Sequence, residues 1–241
     1  MQRPLRALLY AVGVISALAA LGCTGSEVAP AKVAAPPSTR PRAPGPRVSS
    51  ELGDIDEDAT KRTFERLGPG VMACYSAGLD RLAYLAGDVN VSLRVGADGR
   101  LRWVFFEQST LGDRITEACM LKVLKDAHWP RPEGGEAEVH HTLGFDPPPD
   151  VKLPKLWTAA TAAAAVALSN GELTACKRHG AGPFSVTVYV GEDGGAGRVL
   201  SAGAAAPNAV SAADLDCLLG VVQRMKLQSP GDSPAKVSFS L

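Results

Sequence analysis

The sequence predicts an α+β fold built as two tandem modules, each with the element order helix–strand–strand–helix–strand. Short runs in which apolar and polar residues alternate are typical of half-buried strands, and runs with helical spacing lie between them. Four of the five cysteines also recur at similar intervals, from Cys74 to Cys119 and from Cys176 to Cys217. Two similar intervals indicate an internal repeat.

The composition limits the classes of function. Hydrophobic residues make up 46% of the 241-residue chain, which is enough for a packed core and excludes a wholly disordered protein. The 25 basic residues are balanced by 25 acidic ones. Because there is no overall basic footprint, we expect no nucleic-acid partner.

Residues 1–22 predict an export signal. Arg3 and Arg6 give a positive start, and the uncharged stretch that follows is short for a membrane span but suits a signal peptide. The small residues before Cys23 resemble a bacterial lipobox, which implies that Cys23 is lipidated. The same resemblance implies an outer-membrane lipoprotein that faces the periplasm and contacts the membrane through its lipid anchor. An ordinary cleaved signal, with export to the periplasm or cell surface, and an uncleaved membrane anchor are the alternatives.

Residues 23–50 predict a flexible, Pro-rich tether. Proline removes backbone donors, and the segment has no apolar periodicity from which a core could form. The two modules follow the tether, at residues 51–148 and 149–241.

In module 1 the pattern predicts five elements. Gly68-Pro69-Gly70 interrupts a mostly helical run, because proline breaks the backbone hydrogen bonding of a helix. Alternating residues on either side of a turn at 96–99 indicate a hairpin, and Asp113 is a good N-cap for a second helix. The expected elements are a helix over 59–85, strands over 89–95 and 101–105, a helix over 113–126 and a strand over 138–145.

Module 2 repeats this order with weaker signals. A shift of 98 residues places Cys119 on Cys217 and Asp113 on Ser211, which with Asp214 approximates a capping box. Chance matching in a chain rich in Ala, Val and Leu is the alternative to duplication. The expected elements are an Ala-rich helix over 157–177, strands over 186–190 and 198–201, a helix that begins at Ser211 and a strand over 235–241.

The four cysteines predict disulfides, because export places the chain in an oxidising compartment. Four cysteines allow three pairings, and the sequence alone does not decide among them. The repeat favours pairing within each module, Cys74 with Cys119 and Cys176 with Cys217. Metal binding is the competing interpretation, but the chain lacks the close Cys and His spacings of a zinc site.

Several short segments of module 1 carry a family resemblance. Ala73-Cys74-Tyr75, the run at 87–91, Ala118-Cys119 and Trp129-Pro130-Arg131-Pro132 occur in order before a final strand. Together they resemble the AgmX/PglI C-terminal domain, a periplasmic module similar to the TonB C-terminal domain. The resemblance covers residues 60–146, and residues 156–241 resemble the family only in outline.

The resemblance implies an antiparallel-rich, three-stranded sheet packed on two helices in each module, with Cys74 and Cys119 as the family's cysteine pair. It also implies that partner peptides pair with the last strand. The edges over 138–143 and 235–241 are the candidates, since a free edge can accept an added strand. The residues expected to contact the partner are Glu138, His140, Thr142, Lys236, Ser238 and Ser240. Coverage of each edge by the other module or by a second copy is the alternative.

The sequence offers little for catalysis. His140 and His141 are neighbours on a strand and so face opposite sides, which prevents joint metal binding, and we expect His141 at the edge of the core. The acidic run from Asp54 to Asp58 is interpreted as the solvated start of a helix. We expect no enzyme activity, no catalytic residue, no cofactor, no metal and no small-molecule substrate.

The function predicted is therefore that of an exported envelope lipoprotein whose two TonB-like modules bind a periplasmic or outer-membrane protein or peptide. The alternative is a component of a gliding-motility or TonB-like energy-transducing envelope machine. True energy transducers keep an N-terminal membrane helix, which the short apolar stretch of this chain does not match.

Overall fold

A computed structural model of the protein describes residues 52–180 and 182–241. The predictions of an export signal at 1–22, of lipidation at Cys23 and of a tether at 23–50 lie outside these residues. Among the described residues, no helix is long and apolar enough to cross a membrane. Residues 52–148 are called the first half below, and residues 149–241 the second half.

The described residues form an α+β fold with five α-helices and two sheets. Two 3-10 turns, Ala159–Ala162 and Ser211–Asp214, precede helices of the second half. The first half contains α1 (Glu57–Arg81), β1 (Gly87–Val95), β2 (Leu101–Ser109), α2 (Arg114–Lys125) and β3 (Ala137–Phe145). The second half contains β4 (Lys155–Trp157), α3 (Ala163–Leu168), α4 (Asn170–Cys176), β5 (Ser185–Asp193), β6 (Ala196–Ala205), α5 (Leu215–Gln223), β7 (Lys226–Gln228) and β8 (Ala235–Ser240).

The sheet of the first half has three antiparallel strands in the order β2-β1-β3, as expected. The sheet of the second half was expected to have three strands as well and instead has five, in the order β4-β8-β5-β6-β7. Its central strands, β6-β5-β8, follow the same antiparallel order as the first sheet. The extra strands β4 and β7 have three residues each, too short for an alternating pattern to be recognised in the sequence.

Helix α1 runs without a break through Pro69, so the predicted interruption at 68–70 is wrong. Proline in a helix interior costs about 3 kcal/mol because it removes one backbone hydrogen bond. Phe64 and Val71 are buried on either side of it, and this packing outweighs the local cost. Gly70 also allows close approach to α2, because a Cβ atom there would lie 3.2 Å from a methyl carbon of Val123.

The helix starts were only partly predicted. Asp113 caps α2, as expected, and its carboxylate accepts a hydrogen bond from the backbone N–H of Thr116 at 3.2 Å. Ser211 does not cap α5, because its hydroxyl donates to the backbone carbonyl of His179. The side-chain oxygen of Asn208 instead accepts from the backbone N–H of Ser211 at 2.8 Å, and α5 begins only at Leu215.

Each half buries one of its aromatic side chains in the core of the other half. Phe105 of β2 is buried in the core of the second half, which also contains Phe184 and Leu218. Tyr189 of β5 is buried in the core of the first half, beside Leu85. Its hydroxyl donates to the backbone carbonyl of Ala86 at 3.1 Å. The described residues accordingly form one compact unit.

Each half has one disulfide-bonded pair of helices. Cys74 of α1 pairs with Cys119 of α2, with Cα atoms 5.7 Å apart. Cys176 of α4 pairs with Cys217 of α5, with Cα atoms 5.5 Å apart. Both pairs fit the pairing within each module that the repeat favours.

Candidate functional site

Strand β3 has a free edge. It pairs with β1 over its whole length, from Ala137 opposite Val95 to Phe145 opposite Gly87, without a bulge. In the part of the chain that the structure describes, no strand pairs with its other side. An unpaired edge presents a row of backbone donors and acceptors that an added strand can use.

The chain just before α1 marks where this free edge begins. The backbone N–H of Gly53 donates to the carbonyl of Glu136 at 2.6 Å, and Asp54 exchanges two backbone hydrogen bonds with Glu133. Residues 52–54 therefore occupy the approach to β3, and the free edge extends from Ala137 to Phe145.

A groove lies between this edge and α1, and we call it the α1–β3 groove. Its first part has a volume of about 640 Å³ and is lined by the start of α1 and residues 137–141. Its second part has a volume of about 120 Å³ and is lined by the middle of α1 and residues 143–145. Phe64 lines both parts, so they adjoin.

The first part of the groove is acidic. Asp54, Glu57 and Asp58 line it, and within the described residues no ion pair joins any of these three carboxylates to a basic side chain. Glu138 also lines this part and is paired with Arg94. Lys61 is the one Lys or Arg among the described lining residues. Asp56 is used differently, since its carboxylate caps α1 by accepting from the backbone N–H of Ala59 at 2.7 Å. The acidic run is thus the start of a helix, as expected, and it also forms one wall of the groove.

Phe64 and His141 form the wall between the two parts. Their rings stack with centroids 4.0 Å apart, and Phe64 also contacts Trp129 edge-on at 4.9 Å. His141 was expected at the edge of the core; it is exposed, with one face of its ring against the buried Phe64. Burial lowers the pKa of His141, so this ring is neutral at pH 7 and adds no positive charge to the groove.

The second part of the groove is apolar. Met72 is half exposed at its rim, with 52% of its surface accessible. Exposed large apolar residues beside a free strand edge are a feature of interaction sites. The lining side chains that give this part its apolar character are Phe64, Leu67, Val71, Met72, Leu143 and Phe145.

The three β3 residues predicted to contact a partner are exposed, but their side chains already have neighbours. Thr142 donates to the side-chain oxygen of Asn90 at 3.0 Å. His140 lies 3.3 Å from Glu107, and Glu138 lies 3.6 Å from Arg94. The edge can therefore offer mainly its backbone, while the side-chain contacts available to a ligand lie in the α1–β3 groove.

The structure corrects the prediction for the last strand of the second half. Strand β4 pairs with residues 235–237, so the first part of β8 is not an edge. Lys236 donates to the backbone carbonyl of Ala86 at 2.7 Å and lies 5.3 Å from the ring centre of Tyr189. Burial lowers the pKa of Lys236 to about 8. Its ammonium group binds the first half of the protein.

The two serines of β8 differ from each other. Ser238 shares a hydrogen bond with the hydroxyl of Thr187 at 2.7 Å, so its hydroxyl is also engaged inside the sheet. Ser240 is exposed, beyond the part of β8 that β4 covers. Of the two edges predicted to bind a partner, β3 therefore has the longer unpaired stretch in the described residues.

A histidine–aspartate pair was not predicted, because its members lie 35 residues apart in the sequence. His179 Nδ1 lies 2.7 Å from a carboxylate oxygen of the buried Asp214, whose other oxygen accepts the backbone N–H of His179 at 2.8 Å. Burial alone would raise the pKa of Asp214, but these hydrogen bonds lower it overall. The nearby Ser211 donates to a backbone carbonyl and is buried, so it is not presented to the imidazole as a nucleophile.

Neither a metal-binding group nor a match to a known family indicates a function for the described residues. The described residues contain no group of three or more His, Cys, Asp or Glu side chains that could hold a metal ion. Comparison of the chain with protein-family models, curated proteins and solved structures finds no match. The resemblance to the AgmX/PglI C-terminal domain therefore stays a prediction from the residues.

Proposed function

We propose that the chain is a non-enzymatic envelope protein that binds an extended segment of another envelope protein, or a peptide, by adding it as a strand to β3. The observation that carries this proposal is the free edge of β3 from Ala137 to Phe145, with the α1–β3 groove beside it. In strand addition, backbone hydrogen bonds supply affinity and neighbouring pockets supply specificity. Both elements are present here.

The length of β3 supports this use. It has nine residues and no proline, so alternate residues can each offer a backbone donor and acceptor to an added strand. Natural proteins blunt unused edges with short strands, proline or bulges, and β3 has none of these. Each hydrogen bond of an added strand contributes about 0.5–1.5 kcal/mol net, so a contiguous set supplies part of the affinity and the contacts in the groove add to it.

The cellular part of the proposal comes from the sequence. We place the chain at the cell envelope as an outer-membrane lipoprotein anchored through Cys23, with residues 23–50 as the tether. The two disulfide-bonded pairs support export, since disulfides persist in oxidising compartments. The shared strand order β2-β1-β3 and β6-β5-β8 supports a duplicated TonB-like module.

Site-specific photo-cross-linking in the native host tests the binding edge. A photoreactive phenylalanine analogue at Thr142 should cross-link to an extended segment of one partner, identified by digestion and mass spectrometry. The same analogue at Leu168, which is 90% exposed on α3, is the matched control and should not cross-link to that partner. Equal cross-linking at both positions, or none at Thr142, would contradict the proposal.

Proline substitution supplies the second arm of this test. Consecutive residues of an antiparallel strand direct their N–H groups to opposite sides, so one of His140 and His141 presents its N–H to the free edge. Of the variants His140→Pro and His141→Pro, the one that keeps the parental thermal stability should lose the cross-link. Retention of the cross-link in that variant would show that β3 backbone pairing is not used.

A further inference from the structure

We infer that the segment bound at β3 carries a basic residue at the acidic end of the α1–β3 groove and an apolar residue, four or six positions away, at the apolar end. This inference rests on the proposed function and names the chemistry of the ligand. It follows from the charge, the apolar lining and the spacing of the two parts of the groove.

Charge complementarity indicates that the bound segment places a basic residue in the acidic part of the groove. Among the described residues, the wide part of the groove is lined by Asp54, Glu57 and Asp58 against one Lys or Arg, Lys61. The fourth lining carboxylate, Glu138, is paired with Arg94, and the ring of His141 is neutral. The positive end of the α1 dipole adds only about half a unit of positive charge, which does not offset this excess. A lysine or arginine is therefore attracted there, and an aspartate or glutamate is repelled.

The narrow part of the groove selects an apolar residue. Its cavity of about 120 Å³ has room for one aliphatic side chain among Leu67, Met72 and Leu143. Burial of apolar surface contributes about 25 cal/mol per Å². A polar side chain would lose its water contacts in this cavity, since none of these three side chains offers a strong hydrogen-bonding group.

The geometry of a strand fixes the spacing. Residues 137–141 line the acidic part and residues 143–145 line the apolar part, so the two centres lie opposite positions 139 and 144. Side chains that point to the same face of a strand are separated by an even number of residues. Because these centres are five residues apart, the even spacings that reach both parts are four residues, or about 13 Å, and six residues, or about 20 Å.

Synthetic peptides test this pattern on the full chain. The parent probes are two nine-residue peptides of serine, threonine and valine, with a leucine and a lysine four positions apart in one and six positions apart in the other. Each is made in both orders, because an added strand has one direction and only one order should bind. Two control peptides replace the lysine by glutamate or the leucine by serine. Affinity is measured by fluorescence anisotropy, and pairing by hydrogen exchange of the β3 amides.

We expect one order of one parent peptide to protect alternate amides of β3. Replacement of lysine by glutamate should weaken binding about tenfold at 20 mM salt, and by less at 0.5 M salt, where charges are screened. The double variant Glu57→Gln with Asp58→Asn should lose most of this discrimination. The control variant Glu65→Gln with Asp80→Asn, which removes two acidic charges of α1 outside the groove lining, should keep it.

The outcomes separate this inference from the proposed function. Equal affinity for the lysine and glutamate peptides, with β3 amides protected by both, would overturn the inferred chemistry and leave strand addition intact. If no peptide binds while the Thr142 cross-link persists in cells, the inferred pattern is wrong and the proposed function stands. Failure of both peptide binding and cross-linking would reject both.

Discussion

A carboxylate oxygen of Glu117 in α2 accepts a hydrogen bond from the backbone N–H of Ala204 in β6, with the two atoms 3.1 Å apart. The other oxygen accepts from the hydroxyl of Ser109 at 2.6 Å. Glu117 has no accessible surface, and burial raises its pKa to about 7 despite these hydrogen bonds and the nearby Arg114. A carboxyl group that titrates near neutrality thus joins the two halves of the protein.

This burial predicts that Glu117 makes stability depend on pH. The folded state holds the proton more tightly than the unfolded chain, in which the carboxyl has its usual pKa of 4.5. The stabilisation from the protonated group is therefore complete below about pH 4.5 and is lost as the pH rises through about 7. At pH 8.5 the ionised group should cost on the order of 3 kcal/mol.

The variant Glu117→Gln should remove this dependence. An amide can accept from Ala204 and donate to Ser109, so it imitates the protonated acid without ionising. Between pH 5 and pH 8.5 the free energy of unfolding of the parent should fall relative to that of Glu117→Gln by about 1–3 kcal/mol, as measured by urea unfolding. The exposed Glu65→Gln is the control. A parallel pH dependence of Glu117→Gln and the parent chain would contradict the prediction.

Phe105 and Tyr189 are each buried in the core of the opposite half, and this shared packing predicts a single unfolding transition. Truncation of Phe105 to alanine should cost about 3–5 kcal/mol, because it leaves a cavity in the core of the second half. Since β2 and β5 each bury a ring in the core of the other half, we expect hydrogen exchange to accelerate in β1 and β5 by the same factor. The exposed Ile115→Ala should change neither. Acceleration in β5 alone would indicate two independently folding halves.

The sequence predicted the elements that carry a strong local signal and missed those that depend on distant contacts. Alternation located β1 and β5, and Asp113 located the start of α2, because these signals lie within a few residues. Nothing near Pro69 reveals that packing keeps α1 continuous, and the three residues of β4 carry no period of their own. The acidic run at 54–58 was visible, but its position beside β3 follows only from the fold.

The same limit applies to the candidate site. The edge of β3 was predicted because it is the last strand of module 1, and the structure leaves that edge free in the described residues. Lys236 was expected to contact a partner because of its equivalent place in module 2. It instead binds Ala86, a contact 150 residues away in sequence that no local pattern encodes.

The disulfides should contribute similarly to stability in the two halves. They close loops of 45 and 41 residues, and loops of this length contribute about 3–4 kcal/mol each in the chain-entropy account. Replacement of either pair by alanine should lower the free energy of unfolding by about this amount, measured by urea titration without reductant. Addition of a reductant should then destabilise each variant through its remaining pair. A negligible loss in one variant would argue against a disulfide there under native conditions.

The tight contact between Gly203 and Glu117 predicts which glycines tolerate a methyl group. A Cβ atom at Gly203 would overlap a carboxylate oxygen of Glu117 and lie 2.8 Å from the backbone nitrogen of Asp113. Gly203→Ala should therefore destabilise the protein by about 1–3 kcal/mol through overpacking. Gly171, in α4, has nothing within 4 Å of the same position, so Gly171→Ala should stabilise by about 0.5–1 kcal/mol.

A double-mutant cycle shows whether the carboxylate is the cause. In the background of Glu117→Ala the overlapping oxygen is absent, and Gly203→Ala should cost less there than in the parent chain by about 0.5–3 kcal/mol. The free energies of unfolding of the four proteins, measured at pH 5 where Glu117 is protonated when folded, give this coupling directly. Strict additivity would mean that the backbone of Asp113, at the N-cap of α2, limits the approach of β6 rather than the side chain of Glu117.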